Sequence, residues 1–243
     1  SGPTLSSQEP QVGKQTDAGG GDAGKADAPR PFMRFLETDD GGFMQVLVAT
    51  YQSGNATCTL YGCVHVADQP FYTGMQKRFE SCDALLYELI AEPDLRPYPN
   101  MPRDGDHWIS MVQEGLGSGL GLHEQFECMD YRMDNFVHAD MTGEEWEEAL
   151  ELAGKSELGE LLTLSPNDVD REAEAKQEPI DLVAAFRNGQ GISQMRIMVG
   201  RVMCTQEGPT KQPTVIIHGR NERCLEVLQE QLAAGKTKLG IFY

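Results

Sequence analysis

Positive charge is scarce in this 243-residue chain: 20 Lys and Arg stand against 38 Asp and Glu, for a formal net charge of −18. Nucleic-acid binding rests on neutralising phosphates with a basic face, so this balance argues against a nucleic-acid partner. The sequence also lacks a Walker loop and a Gly-x-Gly-x-x-Gly run. No uninterrupted apolar stretch reaches the roughly 20 residues a transmembrane helix needs. Neither an initiator Met nor a signal peptide stands at Ser1. The expectation is a removed amino terminus, in a protein that is exported, periplasmic or membrane-tethered. The six cysteines contain no Cys-x-x-Cys pair and no zinc-finger spacing. Cys58 and Cys63 are five apart, so on a regular strand they face opposite sides and cannot share a metal.

What is present begins at about residue 31. Residues 1–30 are Gly, Ala, Ser, Asp, Gln and Pro with almost no large apolar side chain, and cannot offset the entropy of ordering. They read as a disordered tail, dispensable for folding, ahead of one domain over 31–243. Phe32–Thr38 and Phe43–Tyr51 are strand-like runs around Asp39-Asp40-Gly41-Gly42, a hairpin signal. Ser53-Gly54-Asn55 then turns the chain into the next strand. The fold class expected is α/β, bordering on α+β: a mixed sheet opened by an antiparallel meander, with a parallel β-α-β unit and flanking helices.

That unit is the stretch Ala56–Ile90. Two short apolar runs, Ala56–Val64 and Asp83–Ile90, enclose an amphipathic run whose Phe71, Met75 and Phe79 recur every four residues as core positions. Asp68 is placed to cap this helix and Pro70 to sit in its first turn. Strands joined by such a crossover pair in parallel, and their carboxyl ends border the crevice where open α/β sheets hold ligands. His65 follows the first run and Glu88 sits near the end of the second, so both are expected to point into one cleft. Gly62, lacking a Cβ, lets a ligand or backbone approach beside them. Each also has an ordinary reading: a His hydrogen-bonded in a loop, a Glu paired with an Arg.

Downstream, Ala91–His107 carries four prolines and reads as a lid or a surface excursion. Trp108–Gly115 reads as a short helix, stopped by the glycine-rich run to Gly121. His138 and Asp140 flank one residue, and form either a metal or acid/base pair or part of a buried polar network. Thr142 and Glu145 stand in capping-box register, so a helix starts there. Between Met141 and Ile180 twelve acidic side chains face three basic ones, half of the total charge imbalance, on what reads as a solvated face with a linker or surface arm over Ser165–Glu178. Apolar residues return at helical spacing over Ile180–Cys204, broken near Asn188–Gly191. Arg220–Leu232 reads as a helix with Cys224, Leu225, Leu228 and Leu232 on one face, ended by Gly235. Lys238–Tyr243 is a last strand.

These pieces, in this order, resemble the TraB/PrgY/Tiki family, which is related to erythromycin esterases and the ChaN haem-binding lipoprotein. Leu60-Tyr-Gly-Cys-Val-His-Val is similar to that family's Gly-x-x-His segment, and Tyr87-Glu88-Leu89 to its strand-borne glutamate. Arg220-Asn221 resembles its Arg-Asn helix start, and Lys238–Tyr243 the strand leading to a second Gly-x-x-His. The sequence stops at Tyr243, and the expectation is that this is a piece of a longer protein. The resemblance implies a hydrolase of peptide or ester bonds, with catalytic His65, Glu88 and Arg220. His65 and Glu88 would hold a divalent manganese, cobalt or zinc ion or activate water, and Arg220 would neutralise the developing oxyanion. Gly62, His138, Asp140 and Asn221 complete the candidate set as cofactor-binding residues, beside a peptide or small-molecule substrate. Two alternatives stand beside it: a haem or iron binder of the ChaN kind, and an inactive scaffold.

Overall fold

A computed structural model describes residues 32–38, 41–99, 101, 119–154, 182–204 and 215–243. The expected tail over residues 1–30, helix over Trp108–Gly115 and arm over Ser165–Glu178 lie outside the described residues. The first two strands, β1 (Met33–Thr38) and β2 (Gly41–Val46), form an antiparallel hairpin of their own. The apolar run after the hairpin turn does not continue as one strand. It breaks at Leu47, and β3 (Val48–Ser53) pairs antiparallel with β4 (Ala56–Tyr61) in a different sheet.

The main sheet has the order β3-β4-β9-β6-β8, where β6 is Ala84–Tyr87, β8 is Phe136–His138 and β9 is Lys238–Phe242. It is a mixed sheet in an α/β arrangement, with β4, β9, β6 and β8 running parallel. The two strands of the expected β-α-β unit are therefore parallel but not adjacent, because the last strand of the chain inserts between them. A small antiparallel pair, β5 (Val66–Ala67) with β7 (His123–Glu124), lies outside this sheet.

Side chains alternate across the strands as period two requires. On one face Tyr61, Leu85, Tyr87, Phe136 and Phe242 meet Tyr72, Met75 and Phe79 of α1 (Gln69–Phe79). On the other, Ala84, Leu86, Leu239 and Ile241 meet Cys224 and Val227 of α6 (Arg220–Ala233). Further described elements are a four-residue α2 (Gln125–Cys128), α3 (Gly143–Leu152), α4 (Leu182–Arg187) and α5 (Gly191–Cys204). The helix break near Asn188–Gly191 separates α4 from α5 as expected, and α5 packs on the β1–β2 hairpin.

Three local expectations hold and two are corrected. Thr142 and Glu145 form both bonds of a capping box, Pro70 sits in the first turn of α1, and Gly235 takes φ +85° just past α6. Asp68 occupies the cap position of α1 but makes no side-chain capping bond there. Its carboxylate instead pairs with Arg196 of α5 at 3.4 Å. The inward face of α6 is Arg220, Cys224 and Val227, whereas Leu225 and Leu232 are exposed. That i, i+4, i+7 face carries the arginine itself against the sheet.

Candidate functional site

Because β4, β9 and β6 are parallel, the loops after β4 and β6 leave the sheet at the same edge. Since α6 is followed by a short turn into β9, its first turn also stands at this carboxyl edge. The helical period turns Arg220 inward, to where Glu88 and Asp140 emerge just past β6 and β8.

The three side chains form a buried ionic cluster. Arg220 Nε donates to Asp140 Oδ1 at 2.8 Å, and Arg220 Nη2 donates to Asp140 Oδ2 in a two-pronged pair. The same Nη2 reaches Glu88 Oε1 at 2.6 Å. Asp140 is sealed, and it accepts a further bond from the Met141 amide at 2.8 Å. The Glu88 side chain keeps 16% of its surface and that of Arg220 keeps 11%. Burial works against the Arg220 charge, but the Asp140 hydrogen bonds and the two carboxylates hold its pKa above the ordinary arginine value. Tyr243 buttresses the arrangement: its hydroxyl donates toward the carbonyls of Ala139 (3.2 Å) and Arg220 (3.0 Å), tying β8 to α6. Its ring lies 5.9 Å from the guanidinium.

Two edges of this cluster stay uncommitted. Glu88 Oε2 and Arg220 Nη1 have no hydrogen-bond partner among the described residues, and neither is a sealed atom. Asp140, by contrast, is wholly committed to Arg220 and the backbone, which places it in the polar network rather than in an open ligand set. His138 does not share its partners. The His138 Nε2–H donates to the Leu89 carbonyl at 2.6 Å and the ring packs edge-on to Tyr87, on the α1 face.

His65 lies at the same edge with an exposed imidazole that makes no side-chain hydrogen bond or ion pair among the described residues. The axes of β4 and β6 stand two strand spacings apart, about 10 Å, with β9 between them. A Cβ at Gly62 would fall 2.8 Å from Phe32 Cζ and 3.1 Å from Val46 Cβ, so packing alone favours glycine there. Asn221 follows Arg220 but is exposed.

Among the described residues no three His, Cys, Asp or Glu side chains converge on a point that could hold a metal ion. The described edge thus offers His65 and Glu88 as single donors and not the three protein ligands common to catalytic zinc centres. For haem, the exposed His65 is an available donor, while the hydroxyls of Tyr243 and Tyr131 are hydrogen-bonded within the protein. Beside the cluster, Ala91, Glu92, Asp94, Leu95 and Gly143 line an open depression, held together by the Ala91 amide bonded to the Met141 carbonyl.

One residue of this edge escaped sequence reasoning. Gln125, 2% exposed, accepts from the Cys63 thiol (2.9 Å) and donates to the Tyr131 hydroxyl (2.5 Å), while its amide N–H bonds the His65 carbonyl (2.9 Å). No motif marks it; a glutamine opening a one-turn helix carries no signal of its own. Burial, and next the Glu88 charge, push the Cys63 thiol well above its ordinary pKa, so it stands as a neutral donor.

No protein-family model, no curated protein and no solved structure matches this chain.

Proposed function

We propose that the carboxyl edge of the sheet is a hydrolytic site for peptide or ester bonds, with Glu88 as base and Arg220 as oxyanion donor. The observation that carries this reading is the pair of uncommitted edges, Glu88 Oε2 and Arg220 Nη1, on side chains otherwise locked by a buried ion cluster. A base needs one oxygen held and one free. Glu88 has that geometry, since Oε1 is fixed by Nη2 and Oε2 is open to water. Glu88 takes a proton from the attacking water as its oxygen adds to the carbonyl carbon. The Arg220 Nη1–H bonds the oxygen on which charge develops. The proton then passes from Glu88 to the leaving amine or alkoxide as the bond breaks. His65, exposed on the neighbouring loop, is assigned to the leaving-group side of the bound substrate.

Support comes also from the resemblance, because the Glu and Arg it selects are the two that meet. Binding of manganese, cobalt or zinc is a separate question from this base chemistry. The experiment assays the chain on a panel of fluorogenic peptides and nitrophenyl esters, with and without each of the three metals, against Glu88→Gln. Turnover is expected to fall by about 10²–10⁴ in the variant. Equal rates for the two proteins under every condition would remove the reading.

A further inference from the structure

We infer that Gln125 is the positioning residue for His65, an inference that rests on the proposed use of His65 in hydrolysis. The Gly62–Val66 loop has no regular structure before β5, yet every residue of it is anchored. The Gly62 amide bonds the Leu47 carbonyl (3.3 Å), and the Cys63 amide bonds that of Tyr243 (3.0 Å). The Tyr72 hydroxyl donates to the Val64 carbonyl (2.7 Å), and Val66 pairs with Glu124 across β5 and β7. His65 alone sends its side chain to solvent, while its carbonyl is held by the Gln125 amide. A loop fixed by its backbone sets the place and the Cα–Cβ direction from which the one exposed imidazole projects.

Gln125 holds this loop twice, through its backbone N–H at His65 and through its side-chain oxygen at Cys63. Its amide nitrogen is tied back to Tyr131, itself fully buried among Tyr87, Phe126 and Phe136. A buried primary amide is unfavourable unless both its ends are bonded, and here both are. A leucine would fill the same volume with no polar group to satisfy. What the amide adds is direction: it links the loop two residues before His65 to the aromatic core.

The test uses the full chain with Gln125→Leu, Gln125→Glu and His65→Ala, reading amide hydrogen exchange without metal and kcat and KM on the peptide and ester panel. Gln125→Leu is expected to raise exchange selectively at the Cys63–Val66 amides, and to lower kcat by about 10–100-fold, as loss of an outer supporting bond does, with KM little changed. Gln125→Glu should restore most of both, because a buried carboxyl held neutral by desolvation keeps one acceptor and one donor. A folded Gln125→Leu with native exchange in the loop and native kcat, while His65→Ala abolishes turnover, overturns the inference. If His65→Ala leaves turnover intact, the assignment of His65 to the leaving-group side fails instead, and loop exchange alone decides the role of Gln125. Should Gln125→Leu not fold, Tyr131→Phe removes only the tether behind the amide, and unchanged loop exchange there overturns the inference equally.

Discussion

The two edges of the main sheet use carboxylates in opposite ways. At the amino edge, Asp83 Oδ2 accepts the amides of Thr237 (3.0 Å) and Lys238 (2.8 Å) and the Thr237 hydroxyl (3.2 Å), pinning the start of β9 beside β6. At the carboxyl edge, Glu88 and Asp140 meet a guanidinium, and a carboxylate oxygen and an amino group remain unbonded. An exposed carboxylate that caps backbone groups has finished its work in the fold. A buried ion cluster with open edges does not have that explanation, since apolar side chains would pack the same space without desolvating charge. The difference directs attention to the edge where parallel strands end, as the topology of open α/β sheets does.

The largest effect expected follows from breaking that cluster. Arg220→Met leaves Asp140 sealed and unpaired, and should cost about 3–5 kcal/mol of stability, measured by urea denaturation. Adding Asp140→Leu removes the stranded charge and should recover most of the loss without recovering turnover. A double variant no more stable than Arg220→Met would show that the ionic cluster itself, and not the unpaired Asp140, sets stability at this edge.

A middle-sized effect separates two tyrosines that pack against each other with ring centroids 4.9 Å apart. The Tyr131 hydroxyl is bonded to Gln125, whereas the Tyr87 hydroxyl is buried with no hydrogen-bond partner among the described residues. Tyr131→Phe should cost about 1–3 kcal/mol, because the Gln125 amide loses its acceptor. Tyr87→Phe should be neutral or slightly stabilising, since an unpartnered hydroxyl is removed from the core. Equal destabilisation by both would mean that Tyr87 is satisfied in solution and that the contrast between them is false.

The legible part of this molecule was the part written in local pattern. Residues Phe71 to Phe79 announced α1, Thr142 and Glu145 announced a capped helix, and the apolar ends at His65 and Glu88 pointed to a shared edge. Long-range pairing was not legible: an apolar strand such as Lys238–Phe242 satisfies any parallel neighbour, so its insertion between β4 and β6 had no local mark. Leu47 reads as one more apolar residue in a run, although the chain changes sheets there. On α6 the leucines mask Arg220 as a member of the buried face, and the carboxylate that compensates the buried arginine lies 80 residues away in sequence at Asp140. The charges of Asp140 and Glu88 make that face viable, and no window of neighbouring residues contains them. His138 and Asp140 share a spacing but not a fate, because one bonds the Leu89 carbonyl and the other the guanidinium.

The smallest effect belongs to the amino edge and sharpens the contrast by being silent at the other. The hydrogen bonds from Thr237 and Lys238 hold the Asp83 carboxyl below the ordinary aspartate pKa. A depressed folded-state pKa means that this carboxylate contributes stability above the unfolded value near 3.8 and loses it as pH falls through the lower folded value. Asp83→Asn keeps an acceptor oxygen but removes the charge that the two amides favour. The variant should therefore melt slightly below the parent at neutral pH, and the gap should close as pH is lowered below 3.8 through the folded pKa. Because Asp83 is exposed, added salt should shrink the gap as well. Turnover at the opposite edge should be unchanged, since Asp83 contacts the start of β9 and not its end. A gap that stays constant from neutral pH down to the acid range would show that the side-chain geometry, and not the carboxylate charge, pins β9. A loss of turnover with the fold intact would show that the two edges are coupled, and the division of labour between them would not stand.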